Sequence, residues 1–154
     1  MSSYSATVLW TRQPTETFQD NKYSRAHVWS FDGGVSVPAS AAPGHVPAGT
    51  SRPDAVDPEE AFVASLSSCH MLFFLYYAAK FGAVVDRYED TAMGDLARTP
   101  QGRSWISRVT LKPRITWGAG KIPSPNELET LHHQAHEDCY IANSVKTEVV
   151  IQAG

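Results

Sequence analysis

The sequence holds little cysteine: two residues in 154, Cys69 and Cys139, seventy positions apart. That density excludes a disulfide scaffold, and a reducing compartment would keep both as thiols. It also holds little net charge. Thirteen Lys and Arg stand against sixteen Asp and Glu, a formal charge of −3. No broad cationic surface follows, so neither nucleic acid nor an anionic membrane is the expected partner. Long apolar runs are missing. The longest, Met71 to Ala79, is nine residues, against the roughly 20 needed to span a bilayer. The opening MSSYSATVLWTR lacks the basic and apolar regions of a signal peptide. No GxSxG, Walker or Rossmann fingerprint occurs, and Gly33-Gly34 carries no phosphate-loop pattern. What remains is a globular composition, 42% apolar and 19% charged, expected to form a single domain over residues 1–154 and to be cytoplasmic.

The β-prone run within Ser5 to Arg12 predicts a first strand, Ser24 to Phe31 a second, and Val35-Ser36-Val37 the start of a third. Asp32-Gly33-Gly34 supplies a hairpin turn between the last two. Residues Pro38 to Asp57, rich in proline and small residues, read as an irregular loop of a length that is usually functional or mobile. Asp57-Pro58-Glu59-Glu60 is a helix start with a capping box, and Gly82 is a stop. The helix between them runs about 36 Å at 1.5 Å per residue. Its second half, MLFFLYYAAKF, is apolar nearly all round, which implies cover from a second subunit. Ala83 to Leu96 and Ser104 to Trp117 read as two long strands joined near Pro100-Gln101-Gly102. Ser124-Pro125-Asn126-Glu127 opens a second helix through about Asp138, and Ser144 to Gln152 reads as a closing strand. The order βββ-α-ββ-α-β is α+β, with mostly antiparallel pairing.

Both cysteines sit in polar settings. Cys69 lies in Ser65-Leu66-Ser67-Ser68-Cys69-His70, where three serines and a histidine interrupt an apolar helix. Buried polar groups must be satisfied, so they mark a face that meets something polar. Taken alone, Cys69 also fits an inert core thiol. Cys139, in His136-Glu137-Asp138-Cys139-Tyr140, fits a helix-end residue tucked under the last strand. Neither belongs to a CxxC pair, and spacing alone does not pair them. His132 and His136, four apart on one helical face, offer an alternative. With Cys139 they would make a three-ligand zinc site.

Two segments carry a resemblance. Asp57-Pro58-Glu59-Glu60-Ala61-Phe62-Val63-Ala64 and the residues on to Cys69 resemble the [ND]PEE-L-F-x-A-x-x-x-x-C segment of the OsmC/Ohr family, the osmotically inducible and organic-hydroperoxide-resistance proteins. His136-Glu137-Asp138-Cys139-Tyr140-Ile141-Ala142-Asn143 resembles that family's H-x-x-C-P-[IV]-S-N segment, with Tyr140 where the better-known members have proline. The element order fits as well. The resemblance implies an OsmC-like homodimer, antiparallel sheets packed around long central helices, that intertwines two chains. It implies a cysteine-based peroxidase reducing small organic hydroperoxides, reset by an external dithiol, without metal or organic cofactor. By position, Cys69 becomes the peroxidatic thiol and Cys139 the resolving one. Glu59 becomes the family's acidic residue and Arg25 its arginine, with Arg52 as rival. Ten residues of helix, about 15 Å, separate Glu59 from Cys69, so Glu59 is expected to serve a partner subunit's site. The same scaffold could instead be a non-catalytic, stress-related small-molecule-binding protein.

Overall fold

The protein is described here by a computed structural model covering residues 1–153. The chain divides into two compact units, Met1–Ala61 and the residues from Phe62 onward.

In the first unit, three short strands form an antiparallel sheet, β1 (Ala6–Leu9), β2 (His27–Phe31) and β3 (Ser36–Ala39), in the order β1-β2-β3. The predicted first strand is trimmed to four residues, and the second begins three residues later than expected. Trp10 leaves the sheet to donate its indole N–H to the Ser24 carbonyl at 2.7 Å. Its ring packs with Phe18 and Tyr23, at centroid separations of 5.9 and 5.4 Å. The proline-rich loop after β3 contains one short 3-10 turn, Pro43–His45. It returns to the sheet where Ala39 bridges Val56. The capping box then closes as the sequence predicts: Glu60 N–H donates to Asp57 Oδ1 at 2.8 Å, and Asp57 N–H to Glu60 Oε2 at 3.2 Å.

Helix α1 (Pro58–Phe81) starts there and continues through the second unit. It stops at Gly82, whose φ of 92° lies in the left-handed region that glycine enters without a Cβ penalty. By length and composition α1 could cross a bilayer. The run-based expectation missed this because serines and His70 break its apolar residues into short stretches. Along α1, Leu66, His70, Phe74 and Ala78 are buried. Their spacing of four places them on one face. Ala64, Ser68, Leu72, Tyr76 and Lys80, on the opposite face, are exposed.

Two sheets and a second helix pack against this buried stripe. Strands β4 (Val85–Asp90) and β7 (Pro113–Trp117) pair antiparallel. Strands β5 (Met93–Arg98), β6 (Ser104–Leu111) and β8 (Glu148–Ile151) form the other sheet, with β5-β6 antiparallel and β6-β8 parallel. Each of the two long strands expected between Ala83 and Trp117 is thus two strands in different sheets. The break has a chemical cause. Asp90, at the end of β4, accepts the backbone N–H of Lys112 at 2.6 Å, and Pro113 has no N–H to continue the ladder. Helix α2 (Pro125–Asp138) opens with the predicted capping box, Ser124 with Glu127. The α+β class read from the sequence is the one found.

The core has two centres. Phe74 and Ala78 of α1 meet Leu131 and Ala135 of α2, with Tyr88, Ile115 and Trp117 of the β4–β7 sheet around them. Leu66 of α1 meets Val109 and Leu111 of β6. Close approach shapes the second centre: a Cβ on Gly94 of β5 would stand 2.8 Å from Val63 Cγ2. The two centres clamp the middle of α1, where Cys69 and His70 lie.

Candidate active site

Cys69 and Cys139, distant in sequence, meet in the second unit. Cys69 is half-buried in the middle of α1, and Cys139 is buried at the C-terminal cap of α2. Both are free thiols. Burial, and then the hydrogen-bonding Cys69 sulfur, push the Cys139 thiol up to about 11. The Ala142 N–H, 3.4 Å from Cys139 Sγ, pulls the other way. Cys139 therefore keeps its proton at neutral pH. The segment around it is folded on itself. Asn143 donates its side-chain amide to the Glu137 carbonyl at 2.7 Å, and Ser144 its hydroxyl to the Tyr140 carbonyl at 2.6 Å.

The residue after Cys69 was read only as local polarity, yet it makes a second link between the helices. His70 Nε2 lies 3.0 Å from His132 Nδ1. Burial lowers both imidazoles to about 4, so the pair is neutral at pH 7. His70 Nδ1 and His132 Nε2, the outer nitrogens, are buried without a protein partner. Ser67, a turn before, donates to Asp90 Oδ2 at 2.5 Å. Ser67 and His70 thus meet polar groups, as the sequence argument required, whereas Ser65 donates to the Phe62 carbonyl of its own helix and Ser68 is exposed. Asp90, which no motif marked, is the hub that joins α1 to the strand break.

The zinc alternative is not assembled. His132 is committed to His70, Cys139 adjoins Cys69, and among the described residues no three His, Cys, Asp or Glu side chains converge as a metal site.

Arg25 and Glu59 lie in the first unit, on the wall of a cavity of about 480 Å³ that Trp10, Phe18 and Tyr23 also line. Arg25 stacks on Tyr23, its guanidinium carbon 3.8 Å from the ring centroid. It donates to the carbonyls of Asn21 and Tyr23 and to Asn21 Oδ1, at 2.9, 2.5 and 2.6 Å. Among the described residues no carboxylate, Glu59 included, pairs with it within 4.0 Å. Arg52, the rival, forms a two-point pair with Asp54 at 2.9 and 2.8 Å on the exposed loop and does not line the cavity. Of the two arginines, Arg25 is the one placed with Glu59. The ten residues from Glu59 to Cys69 form unbroken helix.

Comparison with known proteins adds to this geometry. The model of the OsmC-like protein family matches residues 50–153, which include both cysteine segments. This chain belongs to the OsmC-like family. An OsmC-like protein of unknown function from Vibrio cholerae is 50% identical over the whole of both chains, with a TM-score of 0.96. Two organic hydroperoxide resistance proteins share the fold at lower identity. One from Legionella pneumophila has a TM-score of 0.65 at 20% identity, over 99% of this chain and 97% of its own. One from Bacillus subtilis has a TM-score of 0.65 at 19% identity, over 98% of each chain. No curated protein matches the sequence closely enough to count as a relative. The OsmC-like fold thus accounts for the element order.

Proposed function

We propose that this OsmC-like protein is a thiol peroxidase that reduces organic hydroperoxides, with Cys69 as the peroxidatic and Cys139 as the resolving residue. One observation carries the reading. Two free thiols seventy residues apart in sequence are brought together by the two helices of the second unit. In the first step the Cys69 thiolate attacks the outer oxygen of ROOH. The O–O bond breaks, Cys69 becomes a sulfenic acid, and the alkoxide leaves and takes a proton as ROH. In the second, Cys139 attacks the Cys69 sulfur. Its thiol proton and the sulfenic hydroxyl leave as water, and a disulfide forms. An external dithiol then reduces the disulfide by exchange.

Arg25 and Glu59 take the roles that the family resemblance gives them. A guanidinium without a carboxylate partner can steady the charge on a thiolate and a leaving oxygen. The unbroken helix keeps Glu59 about 15 Å along the axis from the Cys69 of its own chain. The proposal therefore includes a homodimer in which Glu59 serves the other subunit.

The test is hydroperoxide consumption with dithiothreitol as reductant, by wild type, Cys69→Ser and Cys139→Ser. The expected result is turnover of tert-butyl hydroperoxide by wild type, its loss in Cys69→Ser, and rapid inactivation of Cys139→Ser through overoxidation. Equal rates for wild type and Cys69→Ser would overturn the reading.

A further inference from the structure

Cys139 is followed by Tyr140, where the segment it resembles has proline. A proline fixes the backbone dihedral next to the cysteine and limits where the thiol can go. Tyrosine supplies no such restraint, so the position of Cys139 must be held in another way. Side chains on both sides of it reach back to α1. Before it, Asp138 accepts a hydrogen bond from the Tyr77 hydroxyl through Oδ2. After it, the Tyr140 ring stands edge-on to Phe73, at 5.2 Å between centroids and 75° between planes. Phe73 and Tyr77 lie one and two turns beyond Cys69 on the same helix. The two contacts therefore fasten Cys139 from either side to the element that carries Cys69.

We infer that Tyr77 and Tyr140 are positioning residues for disulfide closure: the Tyr77–Asp138 and Phe73–Tyr140 contacts together replace the missing proline and hold Cys139 against Cys69. They touch neither peroxide nor sulfur. Their effect falls on the resolving step, in which the Cys139–Cys69 bond forms and water leaves. This inference rests on the thiol pairing proposed above, and its test separates the two.

The full-length protein is compared as wild type, Tyr77→Phe, Tyr140→Ala and Tyr140→Phe. One equivalent of tert-butyl hydroperoxide is added to each reduced protein. Loss of the Cys69 thiol, capture of its sulfenic acid by a 1,3-dione and disulfide formation are followed by mass spectrometry. Cys69 oxidation is expected to be unchanged in all four. Disulfide closure is expected to slow about tenfold in Tyr77→Phe and in Tyr140→Ala, given the size of one hydrogen bond or one aromatic pair. Dione capture rises correspondingly. Tyr140→Phe, which keeps the ring, should close like wild type. A purely structural loss would instead slow both steps or leave Tyr140→Phe as slow as Tyr140→Ala. Closure at the wild-type rate in both Tyr77→Phe and Tyr140→Ala overturns the inference.

A second measurement needs no peroxide. Equilibrating each protein with glutathione buffers gives the dithiol–disulfide constant, expected to fall about tenfold in the same two variants, or about 30 mV. If wild type does not reduce hydroperoxide, the peroxidase reading fails and this titration alone decides the clamp. Unchanged potentials reject it.

Discussion

His70 of α1 and His132 of α2 share one buried N–H···N hydrogen bond, 3.0 Å long, between rings within 8° of parallel and 5.3 Å apart at their centroids. Phe74 stacks on His132 from the side, at 4.4 Å. At least one imidazole must be neutral in this arrangement, because one nitrogen must donate and the other accept. The link also fixes the tautomers in tandem: whichever ring donates leaves a bare acceptor at its outer nitrogen.

Acid should weaken the fold through this pair. Both histidines titrate near 4 in the folded chain, against about 6.5 in an unfolded one. Below the unfolded value the unfolded chain binds more protons, so stability falls as pH drops from about 6.5 toward 4. Each group gives at most about 1.4 kcal/mol per pH unit. Urea midpoints at pH 7.0 and 5.0, a range in which ordinary carboxylates stay ionised, are expected to drop for wild type. A double variant, His70→Gln with His132→Gln, should show a flatter profile. A flat wild-type profile would refute the assignment.

Cys139 should resist alkylation that Cys69 accepts. The reactive form is the thiolate, and a thiol raised to about 11 is only about one part in a thousand ionised at pH 8. Burial also shields Cys139 from reagent, with 1% of its surface exposed. Iodoacetamide at pH 8 on the reduced native protein, mapped by peptide mass spectrometry, is expected to label Cys69 first. Label should reach Cys139 at a comparable rate only after unfolding in urea. Equal native labelling of the two would contradict the geometry.

Asp90 is the polar hub that the sequence did not reveal. Its carboxylate accepts from Ser67 of α1 and from the Lys112 N–H, at 2.5 and 2.6 Å. Removing it loses both hydrogen bonds, one part-buried and one exposed, at about 0.5–1.5 kcal/mol each. For a chain of this size that is about 2–4 °C in Tm per kcal/mol. Asp90→Ala should lower Tm accordingly. Asp90→Asn should lose about half as much, because the amide oxygen keeps one acceptor. A Tm equal to wild type in Asp90→Ala would show that this link is not holding the strand break.

Asp90 also shows where the sequence stopped being legible. Both helices were readable, because capping boxes, N-terminal prolines and a stopping glycine are local signals: Asp57 with Glu60, Ser124 with Glu127, and Gly82 all act as read. The thiol segments were readable because their motifs are contiguous. The strands from Ala83 to Trp117 were not. Alternation continues through Trp105 to Leu111 and beyond, and what divides it is a bond from Asp90 to Lys112, twenty-two residues away. Pro113 was the one local hint. His132 was likewise read against His136, its neighbour on the same helix. Its actual partner, His70, lies sixty-two positions off, and periodicity carries no information about such a pair. The cue that was present, a histidine inside an apolar helix, identified the residue without its partner.

The outer face of α1 gives the proposed homodimer its test. Leu66, His70, Phe74 and Ala78 point into the core, while Leu72 and Tyr76, on the opposite stripe, are 61% and 54% exposed. The helix thus presents apolar side chains on the face its own chain leaves open. Covering one leucine fully is worth about 1.5–3 kcal/mol, so a leucine and a tyrosine on each of two chains contribute toward the roughly 4–15 kcal/mol that association costs. Light scattering behind size exclusion is expected to give twice the chain mass for wild type. Leu72→Glu, which would place a carboxylate on the face proposed to meet the other subunit, should give the monomer and retain the far-ultraviolet circular dichroism of the fold. A wild-type protein that stays monomeric at tens of micromolar would remove the homodimer from the proposal. The role of Glu59 toward a second subunit would fall with it.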